Sequence, residues 1–253
     1  WKTVIINKIY KSKIEVYDNS KVKLLINLNN PDNIWLSSED FNEGDVIYIE
    51  RKNNAYTIKQ EPLVNGAIIV MDPYNGDILA LSGGYSFRKS EFNRATQAKR
   101  QPGSAFKPFI YALALENNFT PATLVLAAPI VLEQVSDLKM WKPKNYGKKF
   151  YGPSTLRTGV EKSRNLMTVR IAQEIGLNKI INFSKKLKIY ERPEELMSIS
   201  LGSAETTLLK MTSAYSSFVN GGKLVEPIFI DRIQDSEGKT IFKNELRFCK
   251  YCD

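Results

Sequence analysis

RQPGSAFKPFIYALALENN, Arg100 to Asn118, is the stretch on which the reading of this chain turns. Pro-Gly breaks the backbone, and an apolar run follows at once. Phe106, Phe109, Ile110 and Leu113 make one helical face, while Tyr111, Ala112 and Leu115 fill the others. A helix that is apolar on nearly every side is a buried one. Pro108 is tolerated near its start, because the first N–H groups of a helix have no internal partner. Ser104 and Lys107 lie three residues apart, so they share a helix face. Serine needs a base before it attacks, and the chain has no histidine. Two readings follow. Ser104 is a nucleophile served by Lys107, or Ser104 is an N-cap and Lys107 a surface lysine whose stem lies on apolar surface.

The first reading has a physical basis. A helix N-terminus carries partial positive charge and free N–H groups where an oxyanion would form. Burial would strip water from Lys107 and lower its pKa, leaving a neutral amine to act as base. Spacing alone does not select it. Ser-x-x-Lys begins at Ser20, Ser86, Ser104, Ser136 and Ser236, and only at Ser104 does it open a long buried helix. A second segment, EKSRNLMTVRIAQEIG, holds Ser163-Arg164-Asn165, the single Ser-x-Asn in the chain. It falls between two expected helices. From there Ser163 can relay protons and Asn165 can hydrogen-bond a substrate amide, or either can simply cap the helix expected from Leu166.

Composition narrows the chemistry. With 253 residues and 43% hydrophobic content, the chain can form one or two globular domains with a real core. The absence of histidine excludes Ser-His-Asp catalysis and histidine-bearing zinc sites. The cysteines are Cys249 and Cys252, a lone C-x-x-C without a second pair, read as incidental to function. No cofactor and no metal are expected. Net charge is +9, which favours anionic partners, although the lysines are scattered rather than blocked. The chain opens on Trp1, shows no signal peptide and has no apolar run of membrane-spanning length, so it is expected to be a soluble piece of something larger.

Residues 1–62 read as short strands. TVIINKIY, KIEVYD, KVKLLINL, DVIYIE and AYTIK are rich in β-branched and aromatic residues, with turn signals between them. About five strands in some sixty residues indicate a small β-barrel of the oligonucleotide/oligosaccharide-binding (OB) type. Residues 63–253 form the second domain. GAIIVMDPYNGDILALSGG is a hairpin whose nearly continuous apolar strands indicate a sheet covered by helices. Helices are expected at 154–162, 166–175, 177–187 and 205–219, and VEPIFIDRIQDSEGKTIF reads as a closing hairpin. The fold class is therefore α/β in the α+β sense, an OB-like barrel followed by an antiparallel sheet with helices.

These segments resemble a known family. Ser-x-x-Lys and Ser-x-Asn belong, with Lys-Thr-Gly, to the motif set of penicillin-binding proteins and class A β-lactamases. FNRATQAKRQPGSAFKPFIYALALE resembles the nucleophile segment of class A, bifunctional penicillin-binding proteins almost continuously. NGAIIVMDPYNGDILALSGG, TLRTGVEKSRNLMTVRIAQEIG and SLGSAETTLLKMTSAYSSFVNGGKLVEPIFI resemble the surrounding transpeptidase elements, so the likeness covers most of residues 63–243. The first sixty residues resemble the OB-like domain these enzymes often carry. The resemblance implies Ser104 as acylated nucleophile, Lys107 as its general base, and Ser163 and Asn165 as the second motif. It implies cross-linking of peptidoglycan stem peptides drawn from a lipid-linked precursor, with D-alanine leaving, and β-lactams as inhibitors that acylate Ser104. It also implies the outer face of a bacterial cytoplasmic membrane, with an anchor outside this sequence.

One departure stands out. Lys-Thr-Gly does not occur; Arg157-Thr158-Gly159 precedes the second motif and falls in an expected helix, and Lys239-Thr240 is followed by Ile241. The chain is thus expected to be truncated before its third motif and to acylate poorly by itself. Other readings are a β-lactamase or penicillin sensor, for which no carboxylate placed to activate water is identifiable, and an OB-type module binding a polyanion. Residues 1–62 lack a regular stripe of basic and aromatic residues, which disfavours nucleic acid. An anionic membrane surface and regulatory proteins fit the basic charge and the OB-like domain better.

Overall fold

The computed structural model describes residues 1–133 and 140–244; Cys249, Cys252 and Ser136 lie outside them. The chain divides into two compact units, Trp1–Asn65 and Gly66–Asp253.

In the first unit, five strands form one antiparallel sheet: β1 (Lys2–Tyr10), β2 (Lys13–Asp18), β3 (Lys23–Asn27), β4 (Val46–Lys52) and β5 (Ala55–Lys59), in the order β3-β2-β1-β4-β5. Alternation decides the buried face. Val4 and Ile6 point inward from β1, Ile14 and Val16 from β2, Ile26 from β3, Ile49 from β4 and Ile58 from β5. A register shift between Ile6 and Lys8 lets Ile9, an odd-numbered residue, join the even-numbered Val4 and Ile6 on that core. No ladder joins the outer strands β3 and β5, but they lie against each other. Asn33, wholly buried in the 3-10 turn Pro31–Asn33, links them. Its Nδ2 donates to the carbonyls of Asn27 (2.9 Å) and Tyr56 (3.1 Å), and its Oδ1 accepts from the N–H of Ile58 (2.9 Å). One side chain thereby satisfies backbone groups that an open sheet edge would leave bare.

The second unit opens on a hairpin, β6 (Ile68–Met71) and β7 (Ile78–Ser82). Gly76 at its turn has φ +83°, and a Cβ there would lie 2.0 Å from the Glu226 carbonyl oxygen. The backbone of Ile228 pairs with Gly76 and Ile78, and Asn220 Nδ2 donates to the Pro73 carbonyl, which ties the turn to the chain about 150 residues later. The hairpin is covered less than its apolar runs imply. Helix α5 (Leu208–Ser216) packs against β6, while Ile68, Val70 and Leu79 are exposed. Continuous apolarity predicts burial of both faces, and only one face finds a neighbour among the described residues.

The rest of the unit is mainly helical: α1 (Lys107–Glu116), α2 (Leu156–Glu161), α3 (Asn165–Ile175), α4 (Leu177–Lys186) and α5 (Leu208–Ser216). Between them run β8 (Leu124–Ala127) paired with β11 (Gly152–Thr155), β9 (Leu132–Glu133) paired with β10 (Met140–Trp141), and a late hairpin of β12 (Arg232–Gln234) and β13 (Thr240–Lys243). Thr155 and Thr207 cap α2 and α5, accepting from the N–H groups of Thr158 and Lys210, so α5 starts three residues later than its sequence pattern predicts. The core is built by α1 and α3: Phe109, Ile110, Leu113 and Ala114 pack with Met167, Ile171 and Ala172. Gly159 shows what the Arg-Thr-Gly tripeptide does. It is buried in α2, where a Cβ would meet Tyr111 Oη at 2.6 Å and Met167 Cε at 2.9 Å, so its role is close helix packing.

Candidate active site

Ser104 stands on a 3-10 turn, Gly103–Phe106, that runs directly into α1. The turn is held from three sides. Arg100 and Thr206 exchange backbone hydrogen bonds of 2.8 and 3.0 Å. Gly103 N–H donates to the Gly202 carbonyl at 3.1 Å, and Gly202, at φ +73°, leaves no room for a side chain, since a Cβ would lie 2.2 Å from the Gly103 oxygen. Tyr215 on α5 donates its hydroxyl to the Ala105 carbonyl at 2.6 Å. Below, Phe106 anchors the turn in an aromatic cluster with Phe109 and Tyr190, at centroid separations of 5.8 and 5.2 Å. The Ser104 side chain itself is exposed. A cleft of about 490 Å³ is lined by Pro102 and Ala105 of the same turn with Leu208, Met211 and Tyr215 among others, and Ser104 itself does not line it.

The capping alternative for Ser104 is not what the molecule shows. The N-cap of α1 is Phe106, without a side-chain cap, and the Lys107 N–H is satisfied by the Ser104 carbonyl. Nor does Lys107 reach solvent: it is 2% exposed. Its Nζ donates to the Ser163 carbonyl (2.6 Å), Ser163 Oγ (2.9 Å) and Asn165 Oδ1 (2.5 Å), using all three ammonium protons. Among the described residues no carboxylate pairs with it. Burial without a counter-charge brings its pKa down from 10.5 to about 8. The four residues singled out in the sequence are thus arranged as one exposed hydroxyl, one buried amine a turn along, and two acceptors more than fifty residues away. No side-chain hydrogen bond links Lys107 Nζ to Ser104 Oγ; the amine is turned to Ser163 and Asn165.

Ser163 and Asn165 are not helix caps either. The N-cap of α3 is Arg164, with no side-chain cap, and Ser163 has φ +49°, an uncommon backbone for serine that aims its hydroxyl and carbonyl together at Lys107. Arg164 turns away: it donates to Ser154 Oγ at 2.5 Å and stacks 4.0 Å from the Tyr151 ring centroid. Asn165 Nδ2 donates to the Lys144 carbonyl at 2.8 Å. Tyr111 and Thr168, behind the amine on α1 and α3, join their hydroxyls at 3.3 Å, and burial raises the Tyr111 pKa. Sequence reasoning missed Lys144, Tyr111 and Tyr215. The first acts through a carbonyl, which no side-chain pattern reports, and the tyrosines read simply as parts of apolar helices.

A buried, neutralisable lysine held between a Ser-x-x-Lys helix and a Ser-x-Asn junction is the arrangement that a histidine-free serine acyl-transfer site requires. Comparison with known proteins agrees. Residues 66–248 match the family described as penicillin binding protein transpeptidase domain, and the chain belongs to that family. It is 48% identical over 211 residues to penicillin-binding protein 1A of Rickettsia conorii, covering 83% of this chain and 27% of that protein. Against the Rickettsia felis protein of the same name it is 44% identical over 248 residues, covering 96% and 31%. The crystal structure of penicillin-binding protein 1A from Haemophilus influenzae superposes with a TM-score of 0.84 at 34% identity, over 96% of this chain and 36% of that one. The chain therefore spans between 27% and 36% of the length of these three proteins.

Proposed function

We propose that this chain carries the acyl-transfer centre of a peptidoglycan D,D-transpeptidase, part of a bifunctional cell-wall synthase. The carrying observation is the buried Lys107, hydrogen-bonded to Ser163 and Asn165 one turn from the exposed Ser104. In this reading neutral Lys107 takes the Ser104 proton, directly or through the Ser163 hydroxyl, as Ser104 Oγ attacks the carbonyl of a terminal D-Ala-D-Ala bond. The proton returns to the departing amine, D-alanine leaves, and Ser104 holds an ester. An amine of a neighbouring stem peptide then attacks that ester and gives up its proton to the same base, which passes it to Ser104 Oγ as the C–O bond breaks; water in place of the amine would give carboxypeptidase activity. With a pKa of about 8, about a tenth of Lys107 is neutral at pH 7, so the base is usable at ordinary pH. Asn165, bound through both ends of its carboxamide, is placed to orient the donor peptide once Lys107 releases its oxygen.

The wider setting belongs to the same proposal. The five-stranded first unit serves as an OB-like domain, residues 1–62, followed in the chain by a transpeptidase domain from residue 63 onward. The molecule works on the outer face of the cytoplasmic membrane, on stem peptides and lipid-linked precursor. Its net charge of +9 suits an anionic membrane surface, and the OB-like domain offers a place for regulatory proteins rather than nucleic acid. Because Lys-Thr-Gly does not occur in these 253 residues, the chain alone is expected to acylate slowly. Fluorescent penicillin tests the assignment: the polypeptide that carries this chain should label on the peptide containing Ser104, and Ser104→Ala should abolish labelling without lowering the unfolding midpoint. Undiminished labelling of the variant at that peptide would falsify the nucleophile assignment.

A further inference from the structure

Asn165 can accept from Lys107 only if its carboxamide is held the right way round. The Lys144 carbonyl does this by engaging Nδ2, which leaves Oδ1 to face the amine. A flipped amide would set N–H against ammonium and oxygen against oxygen. The position of the Lys144 carbonyl therefore matters, and it lies in the 142–151 loop, whose adjacent tip residue Tyr146 is fully exposed. Asn145, between them, is 6% exposed. Its Oδ1 accepts the otherwise orphaned N–H of Leu166 in the first turn of α3 at 3.2 Å, and its Nδ2 donates to the Lys149 carbonyl at 2.9 Å. The Lys148 N–H closes the turn on the Asn145 carbonyl at 2.9 Å. The residue that would normally cap α3, Arg164, makes no side-chain cap, and Asn145 supplies one from 21 residues upstream.

We propose that Asn145 is a positioning residue for the acyl-transfer reaction: it fastens the 144–149 turn to the first turn of α3, so that the Lys144 carbonyl fixes the Asn165 carboxamide and, through it, the Lys107 amine. This rests on the functional reading above for its consequence, but not for its geometry. Losing the fixed Oδ1 removes one acceptor from the ammonium form of Lys107. Hydrogen bonding to the charged form favours it, so its loss lowers the pKa further.

The test follows the titration of Lys107 by NMR of lysine labelled at the ε-carbon, from about pH 6 to about pH 10, where the amine changes state. It uses the polypeptide that carries this chain, as wild type, N145A and N145S. Serine keeps a small polar side chain in the turn but is too short to span from Leu166 to Lys149, so N145S guards the fold while giving up the link to α3. Both variants should move the Lys107 midpoint down by about half a pH unit or more. Acylation by fluorescent penicillin on the high-pH plateau should fall about tenfold or more, since small misplacements at a reacting centre are costly. An unchanged or raised midpoint in folded N145S overturns the proposal, as does a rate loss that merely follows the folded fraction. Wild type that titrates normally yet never labels at Ser104 would break the functional reading, while the NMR midpoints still decide on Asn145.

Discussion

Asn33 in the first unit and Lys107 in the second are both buried polar side chains with three hydrogen bonds, and they end differently. Asn33 gives everything to backbone: the carbonyls of Asn27 and Tyr56 and the N–H of Ile58. None of those groups can gain or lose a proton near neutral pH, so the arrangement holds β3 to β5 and does nothing else. Lys107 gives two of its three bonds to side chains, Ser163 and Asn165, and carries a proton it releases at about pH 8. The first arrangement stabilises. The second keeps an amine buried with no counter-charge among the described residues, at the expense of stability. Buried polar groups separate into structural and chemical ones by what lies at the far end of each bond.

Substitution should sharpen this contrast. The largest effect is expected at Lys107→Met, where penicillin acylation should fall about 10²- to 10⁴-fold, the usual share of a general base. Stability should move the other way. The folded pKa of Lys107 lies below its ordinary value of 10.5, so the unfolded chain binds more protons between about pH 8 and 10.5. Wild-type stability therefore gains as pH rises through that window and is penalised below it. K107M should unfold at a higher temperature than wild type at pH 7, with the advantage gone near pH 10; lower stability at pH 7 would break the comparison. Wild-type acylation should itself rise with pH to a plateau, with a midpoint near 8.

Next in size is Asn33→Ala. It orphans three backbone groups at once, and denaturant unfolding of the first unit should lose roughly 3 kcal/mol, given ~1–3 for a buried group left unmade. Acylation per folded molecule should be unchanged; a loss comparable to K107M would erase the distinction between the two sites. Gly202→Ala comes last, at about 2 kcal/mol, because a Cβ at positive φ meets the Gly103 backbone 2.2 Å away. It should depress stability and acylation together, which neither of the other two does.

Much of the fold is legible in the residues themselves. The five strands of the first unit follow from their β-branched and aromatic residues and the turn signals between them, α1 from its all-round apolar run, and the α3–α4 boundary from Gly176 as a stop. Family resemblance groups Ser104, Lys107, Ser163 and Asn165 into one site. What local pattern does not carry is partnership across distance. Asn33 reads as one more polar residue in an Asn-Pro-Asp turn, Asn145 as part of a lysine-rich loop, and both matter through bonds to residues 25 and 21 positions away. Spacing suggests that Lys107 sits beside Ser104, whereas its amine is committed to residues 56 and 58 positions later. The hairpin β6–β7 shows the opposite error, since apolar runs promise two covered faces and the described residues cover one.

The desolvation of Lys107 also makes the chain chemically uneven. At pH 8 about half of its amines are neutral, against roughly one in three hundred for a lysine at 10.5. Lys107 thus holds its electron pair free far more often than an ordinary lysine does. To an amine-seeking electrophile small enough to enter, that nitrogen is set apart by its surroundings, although its covalent structure is that of every other lysine.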